Sequence, residues 1–310
     1  MTAPFKQLAF DALPQRPRVA HVWSTVEPLD VVVDDPHFGR VKLRVNRFGS
    51  GPPLLLVHGL MTASYSWRYM LERLGAHFTL YMPDLPGCGR SDAPDVDYGP
   101  DALADLIARL IGVLGIRGTA VIGNSLGGYL VMRLALRDPG SVSRIINLHS
   151  PGIPLPRLYA LRAALSLPGA AAILDALVAR DPERWVHRNV HYYDETLKSR
   201  EEAAVWAEPL RTTAGRRAFF HWLRDSLDPG AMREFVAVLV ARRDRGEAFP
   251  VPIRLIYAER DPMVPPIVGR RLAALLPAAP IVWLDAGSHF AHVDAPDAFV
   301  TAIGDFLDQR

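Results

Sequence analysis

Ser125 lies in the stretch "VIGNSLGGYL", where an apolar run stops at a serine bracketed by glycines and then resumes. A glycine inside a strand or helix costs roughly 1 kcal/mol relative to alanine, so Gly123, Gly127 and Gly128 need a reason. The pattern G-x-S-x-G supplies one: a strand-to-helix turn so tight that neighbouring side chains would collide. Glycine at 123 and 127 removes them, and Gly128 lets the new helix lie close to the sheet. Ser125 is then held at the tip with its hydroxyl exposed, at a helix N-terminus whose free N–H groups favour developing negative charge.

A serine hydroxyl is a weak nucleophile, so it needs a base, and the base needs an orienting acid. On this kind of turn the expected chain order is Ser, then acid, then His. Asp261 in "ERDPMVPP" and His289 in "GSHFAHVDAP" fit, each following a short apolar run of strand type. A tetrahedral intermediate also needs donors for its oxyanion. Leu126, directly after the serine, offers one backbone N–H. Leu60 in "LLLVHGLM" offers the other, because His58-Gly59 permits a sharp turn.

Other readings were weighed at each position. Asp261, which precedes a proline, also suits a helix N-cap. No acid lies between Arg144 and Asp175, so the run "VSRIINL" brings no rival orienter. His292 competes with His289 but stands further from the strand end. Asp285 and Asp294 read as solvated or capping, His58 as structural, and Cys88 as a small packed residue. No His/Asp/Glu cluster has metal-ligand spacing, so no metal and no cofactor is expected.

The elements that must position these residues alternate along the chain. "DVVVDD" and "RVKLRVNRFG" read as a strand pair. "PPLLLVHG", "FTLYMPD", "GTAVIGN", "VSRIINLHS", "VPIRLIYAERD" and "APIVWLDAGSHF" read as strands, the more apolar of them as buried. Between them "SYSWRYMLERLG", "PDALADLIARLIGVLG", "LGGYLVMRLALRD" and "PPIVGRRLAALLP" read as helices, and "APDAFVTAIGDFLDQ" closes the chain as another. Near-continuous apolar strands separated by helices imply an α/β fold with a mostly parallel sheet covered on both faces. Parallel strands end on one edge, so Ser125, Asp261 and His289 would gather there.

Residues 1–28 contain prolines at 4, 14, 17 and 28 and read as an irregular surface arm. Residues 29–150 and 251–310 form the core. Residues 151–250 read as a helical insert, with breaks at "PGIPLP", "DPERW" and "SLDPG". The insert is expected to cap the site. Of its aromatic residues, Trp185, Tyr192 and Trp206 are expected, with Phe290, to line a substrate pocket.

The 310 residues carry 49% hydrophobic and 22% charged residues and a formal net charge of +2. This composition fits a folded globular chain and excludes a disordered one. No basic run suggests a nucleic-acid groove or a membrane patch, and no stretch is long enough to span a membrane. One cysteine excludes an intrachain disulfide framework. With no signal-peptide pattern at the N-terminus, a cytoplasmic location is expected.

Taken in order, "HGLM", "DLPGCGRSD", "GNSLGG", "ERDPMVP" and "SHFAHVDAPDAF" resemble the α/β-hydrolase superfamily over roughly residues 53–150 and 250–310. The resemblance implies the α/β-hydrolase fold and a cofactor-independent serine hydrolase, an esterase above all. Ser125 would be its nucleophile, Asp261 its acid, His289 its base, and Leu60 and Leu126 its oxyanion hole. Ser288 stands where glycine is usual and Asp294 where glutamate is. "HGLMTASYSWRYM" also resembles epoxide hydrolases and haloalkane dehalogenases, but those use an aspartate where this chain has Ser125. The carbon–carbon bond hydrolases share "GNS". They typically have a glycine-rich loop after the HG pair and a tryptophan after the histidine, where this chain has "LMTAS" and Phe290. The leading expectation is therefore a carboxylesterase acting on a small or medium hydrophobic ester. Carbon–carbon, lactone or thioester cleavage is the alternative, and a receptor-like protein with poor turnover the third.

Overall fold

The computed structural model describes residues 5–285 and 287–308. Residues 1–4 of the expected arm, Ala286 and the last two residues lie outside the described set.

Eight strands form one sheet: β1 (Glu27–Asp35), β2 (Gly39–Phe48), β3 (Pro53–Val57), β4 (Thr79–Pro83), β5 (Thr119–Asn124), β6 (Val142–Leu148), β7 (Ile253–Ala258) and β8 (Ile281–Leu284). Their order is β1-β2-β4-β3-β5-β6-β7-β8. β1 and β2 pair antiparallel, as do β2 and β4, and the remaining pairs are parallel. The chain belongs to the α/β class, as the alternation of apolar runs and amphipathic helices predicts.

The period of two along each strand divides the core between the two faces. Leu55, Val57, Val121, Ile145 and Leu255 join one apolar cluster with the helices Pro100–Val113, Leu126–Arg137 and Pro266–Leu275. Leu54, Leu56, Ile122, Ile146 and Ile256 join the other, with the helix Pro296–Asp308. Both faces are dry, which is why the central strands read as unbroken apolar runs.

Two local expectations differ from the structure. "SYSWRYMLERLG" is not one helix: a 3-10 turn at Ser64–Trp67 precedes a short helix at Leu71–Gly75. The break frees Ser64, whose N–H and hydroxyl both bond to Asp84 Oδ1, at 2.9 and 2.5 Å. The first residues are also more than a surface arm. Phe10 and Leu13 are buried against Ala203, and the carbonyls of Pro14 and Gln15 accept the N–H groups of Arg200 and Glu201.

After Leu148 the chain leaves the sheet and returns at Ile253. The intervening helices are Pro156–Leu165, Ala170–Arg180, Pro182–Asn189, Arg200–Ala207, Thr213–His221 and Pro229–Asp244. One end of this insert is fixed to the core by a buried ion pair. Arg68, in the loop after β3, meets Glu202 of the helix Arg200–Ala207, and both side chains are almost fully buried. The Tyr192 hydroxyl donates to Glu202 at 2.8 Å, and the Arg68 guanidinium lies 4.8 and 4.5 Å from the ring centres of Tyr65 and Tyr69. Burial pushes the Glu202 carboxyl up, against the pull of Arg68.

Removing one member of such a pair leaves an uncompensated buried charge, whereas removing both does not. Arg68→Met should therefore destabilise the protein by roughly 3–5 kcal/mol in urea unfolding. The double variant Arg68→Met/Glu202→Leu should recover at least half of that loss. A double variant no more stable than Arg68→Met would refute this account of the anchor.

Candidate active site

β5 ends at Asn124, and the next helix begins at Leu126. Ser125 makes the whole turn between them, at φ 53° and ψ −123°. An L-residue adopts that backbone only under constraint, and here the constraint is contact. A Cβ on Gly123 would lie 2.6 Å from the Gly128 backbone, and one on Gly127 would lie 2.4 Å from the Val57 carbonyl oxygen. The helix thus starts in direct contact with β5 and β3, and no freedom remains for Ser125. Its N–H donates to the Leu148 carbonyl at 2.7 Å.

Asp261 follows β7 and His289 follows β8. His289 Nδ1 lies 2.7 Å from Asp261 Oδ2. The other carboxylate oxygen accepts the N–H groups of Met263 and Val264, at 2.7 and 2.8 Å. Both residues are almost fully buried. Burial works against the Asp261 carboxylate, but His289 and the Val264 N–H hold its pKa below the usual range. The N-cap alternative for Asp261 is set aside by this geometry, since the next helix starts at Pro266 with Pro265 as its cap.

The loop after β3 is held by the carbonyl of Gly59. The Gly59 carbonyl lies 2.7 Å from His58 Nδ1 and accepts the Thr62 hydroxyl at 3.0 Å. In a trans peptide the N–H points opposite to the C=O, so the Leu60 N–H is directed away from those partners. Met61, at φ 61°, closes the turn. Leu126 is the first helical residue, and its N–H has no acceptor within its own helix. Gly59, Leu60, Ser125, Leu126 and His289 all line one cavity of about 440 Å³. His58, fully buried, accepts the Leu85 N–H at its second nitrogen, 3.0 Å away; it holds the loop and does not face the cavity.

The rest of the lining is mostly apolar and comes from both parts of the chain. The core contributes Met61, Met263, Val264, Val268 and Phe290; the insert contributes Ile153, Leu155, Leu158, Leu161, Leu223 and Leu227. Arg157, Asn189 and His191 are its polar side chains from the insert.

Of the four residues expected to line the pocket, only Phe290 does so. Tyr192 and Trp206 are buried behind it, with ring centres 5.5 and 6.3 Å from that of Phe290. Trp185 packs on Phe219, 6.4 Å away. Tyr192 and Trp206 thus pack the insert against the core at Phe290. The pocket wall is aliphatic instead.

Three further positions shape the site. Asn124 donates to the His289 carbonyl at 3.0 Å and so ties the serine turn to the histidine loop. His149, at φ 55° just past β6, is buried with its ring centre 5.8 Å from those of His289 and Tyr257. Burial pulls its pKa down to about 3, so it stays neutral. Asp294, expected to be solvated or capping, is half-buried, and its two oxygens accept the Ser288 and Tyr193 N–H groups at 3.1 and 2.6 Å, joining the histidine loop to the insert. The only sequence signals for Asn124 and His149 were their places at strand ends on this edge. His292 is fully buried against Trp67, with ring centres 4.3 Å apart, and Asp261 pairs with His289 instead. Burial raises the Cys88 thiol pKa, which fits a packed residue. Among the described residues no group of three or more His, Cys, Asp or Glu is placed to hold a metal ion.

A family model described as "Alpha/beta hydrolase family" matches residues 54–302. The chain belongs to this family. It is similar to the 2-hydroxymuconate semialdehyde hydrolase of a Pseudomonas species, at 25% identity over 88% of this chain and 95% of that one. It is also similar to the N-formylmaleamate deformylase of Pseudomonas putida, at 26% identity over 84% and 90%. In structure it resembles a thermophilic esterase from Thermogutta terrifontis, with a TM-score of 0.69 at 21% identity over 90% of this chain and 98% of that one. That likeness shows the hydrolase fold.

Two outcomes test the geometry. Gly123→Ala should destabilise the protein by about 1–3 kcal/mol in urea unfolding, because its Cβ meets backbone that has no room to move. An unchanged midpoint would show that the turn is slack. For Asp294, burial raises the pKa from 3.8 to about 6. Between those values the folded state holds a proton that the unfolded chain has released, so stability falls as pH rises through that window. Asp294→Asn should remove this slope, so the wild type should lose melting temperature relative to the variant between pH 4 and about 6.5. Parallel melting curves across that range would contradict the assignment.

Proposed function

We propose that this α/β hydrolase is a serine carboxylesterase that cleaves small or medium hydrophobic esters through an acyl-enzyme. The observation that carries the reading is an aliphatic cavity that holds Ser125, His289 and the Leu60–Leu126 turns together. His289 takes the Ser125 proton as the serine attacks the ester carbonyl. Asp261 fixes the tautomer of His289 through Nδ1 and stabilises the imidazolium. The N–H groups of Leu60 and Leu126 receive the oxyanion. His289 then protonates the departing alcohol, and water activated by the same imidazole releases the acid. The helical insert acts as a cap that supplies the outer wall of the pocket.

A second reading is favoured by two observations. The relatives include a 2-hydroxymuconate semialdehyde hydrolase, and Arg157 offers one cation at the cavity. A carbon–carbon bond hydrolase on the same triad would place its substrate carboxylate there.

Initial rates on p-nitrophenyl esters of increasing acyl length, with wild type beside Ser125→Ala, separate these readings. The wild type should turn over, with an optimum at medium acyl length. Ser125→Ala should lose on the order of 10⁴-fold or more in kcat, and Asp261→Asn a similar factor. A wild type inert on every ester but active on a coloured dienone acid would replace the ester reading with the second one. Equal rates for wild type and Ser125→Ala would remove Ser125 from the nucleophile role.

A further inference from the structure

At one point of its insert wall the aliphatic cavity carries two polar side chains close together in the chain, Asn189 and His191. Asn189 ends the helix Pro182–Asn189, and its Nδ2 donates to the Trp185 carbonyl at 2.8 Å. A carbonyl only accepts, so the amide nitrogen must face it, and Oδ1 is the atom left over. His191 Nδ1 lies 3.4 Å from Glu195 Oε1. The same carboxylate oxygen accepts the Tyr192 N–H at 3.2 Å. A carboxylate also only accepts, so Nδ1 carries the proton of the neutral imidazole and Nε2 keeps its lone pair. Among the described residues these are the only hydrogen-bond or ion-pair contacts of the Asn189 and His191 side chains. Each side chain thus spends its donor on the insert and has an acceptor to spare.

The segment that carries them is firmly held. The Ser288 hydroxyl donates to the His191 carbonyl at 3.2 Å, and the Tyr193 N–H donates to Asp294 at 2.6 Å, so His191 lies beside the loop of His289. Glu195 is buried, and its second oxygen meets Lys198 Nζ at 2.6 Å. Lys198 is buried as well and donates to the His187 carbonyl at 3.1 Å. Burial works against the Glu195 carboxylate, but His191 and Lys198 hold its pKa below the usual range. Glu195 therefore stays an acceptor and orients the imidazole through one nitrogen. Among the described residues the cavity lining contains no acid, and its one arginine, Arg157, already donates to the Met263 carbonyl.

We propose that Asn189 Oδ1 and His191 Nε2 form an acceptor pair that selects esters bearing a hydroxyl group away from the scissile bond. Lone pairs on an otherwise aliphatic wall attract a hydroxyl proton and repel a carboxylate. A plain alkyl chain leaves both acceptors without a partner, and a site built to hydrogen-bond a hydroxyl rejects the analogue that lacks it. The inference rests on the ester-hydrolase reading for the bond that is cleaved, and it adds the polar group that the rest of the substrate carries. Asn189 and His191 sort substrates by the hydrogen bond a substrate can offer; the triad alone breaks the bond.

The test compares esters of equal acyl length at about pH 8, where an ordinary imidazole is neutral. Ethyl hexanoate, ethyl ω-hydroxyhexanoate and monoethyl adipate end in a methyl, a hydroxyl and a carboxylate. Hexyl acetate and ω-hydroxyhexyl acetate place the hydroxyl on the alcohol part instead. Wild type should favour the hydroxyl ester over its methyl partner by about tenfold or more in kcat/KM in one of the two series, chiefly through KM, and should take the carboxylate ester worst. Asn189→Leu and His191→Phe should each bring that ratio several-fold closer to one, and His191→Gln, whose amide oxygen accepts, should restore part of it. A merely structural fault would slow both esters alike and leave the ratio where it was. A wild-type ratio near one in both series, a preference for the carboxylate ester, or a ratio that neither variant moves would overturn the inference. Calorimetric binding of the same esters to Ser125→Ala reads the preference without turnover. Wild type inert on every ester, with the hydroxyl preference kept in binding, would sink the ester reading and leave the acceptor pair standing; inert wild type with equal binding would sink both.

Discussion

The structure depends on one backbone contact. Gly123 and Gly128 touch where β5 gives way to its helix, and Gly127 touches β3 at Val57. A methyl group at any of these points has nowhere to go. The contact holds Ser125 in a backbone conformation that costs on the order of 1–3 kcal/mol, and the packed sheet on either side sustains it. The other parts of the site are then referred to the same point. Asn124 holds the histidine loop by its carbonyl, Leu148 accepts the serine N–H, and Gly59 lies so close that a Cβ there would sit 2.9 Å from that of Ser125. Three loops from distant parts of the chain are thus positioned by a rigid edge rather than by their own stiffness, which is what preorganised chemistry requires.

The insert is attached unevenly. Arg68–Glu202, Tyr65–Glu201 and the arm at Pro14 and Gln15 pin the helix Arg200–Ala207 to the core. Asp294 pins the Tyr193 segment to the histidine loop. The helices Pro156–Leu165 and Ala170–Arg180 have mostly exposed surfaces and few buried side chains, Leu158 and Val178 among them. Regions with few buried apolar contacts open at lower free energy than the rest of a domain. One side of the cavity is therefore firm, and the side carrying Leu158 and Leu161 is the one able to yield to a ligand.

The mostly parallel sheet and the placing of Ser125, Asp261 and His289 just past strand ends were legible in the sequence, because each rests on a local rule; the order of the strands in the sheet was not. Buried strands are continuous apolar runs, the serine turn needs its glycines at fixed spacing, and the two partners follow strands. The cavity wall was less legible. Tyr192 and Trp206 are aromatic residues in a helical insert, and nothing in their spacing says whether they face a pocket or back the residue that does. Asp294 is one acid near a helix start, and its burial depends on Tyr193, 101 positions away.

The choice between ester and carbon–carbon cleavage turns on the leaving group rather than on the triad. On the proposed triad both reactions would pass through an oxyanion formed at Ser125. An ester would expel an alkoxide, which His289 would protonate with the proton taken from the serine, so the alcohol side of the pocket would need no polar group. A carbon leaving group must be delocalised into a neighbouring carbonyl or carboxylate, and that charge needs donors along the wall. The wall here is built from Leu, Ile, Val, Met and Phe, with polar side chains from the insert at Arg157, Asn189 and His191. Arg157 is exposed and already donates to the Met263 carbonyl. An aliphatic ester would meet a mostly aliphatic wall, whereas a carbanion would depend on the few polar side chains at Arg157, Asn189 and His191.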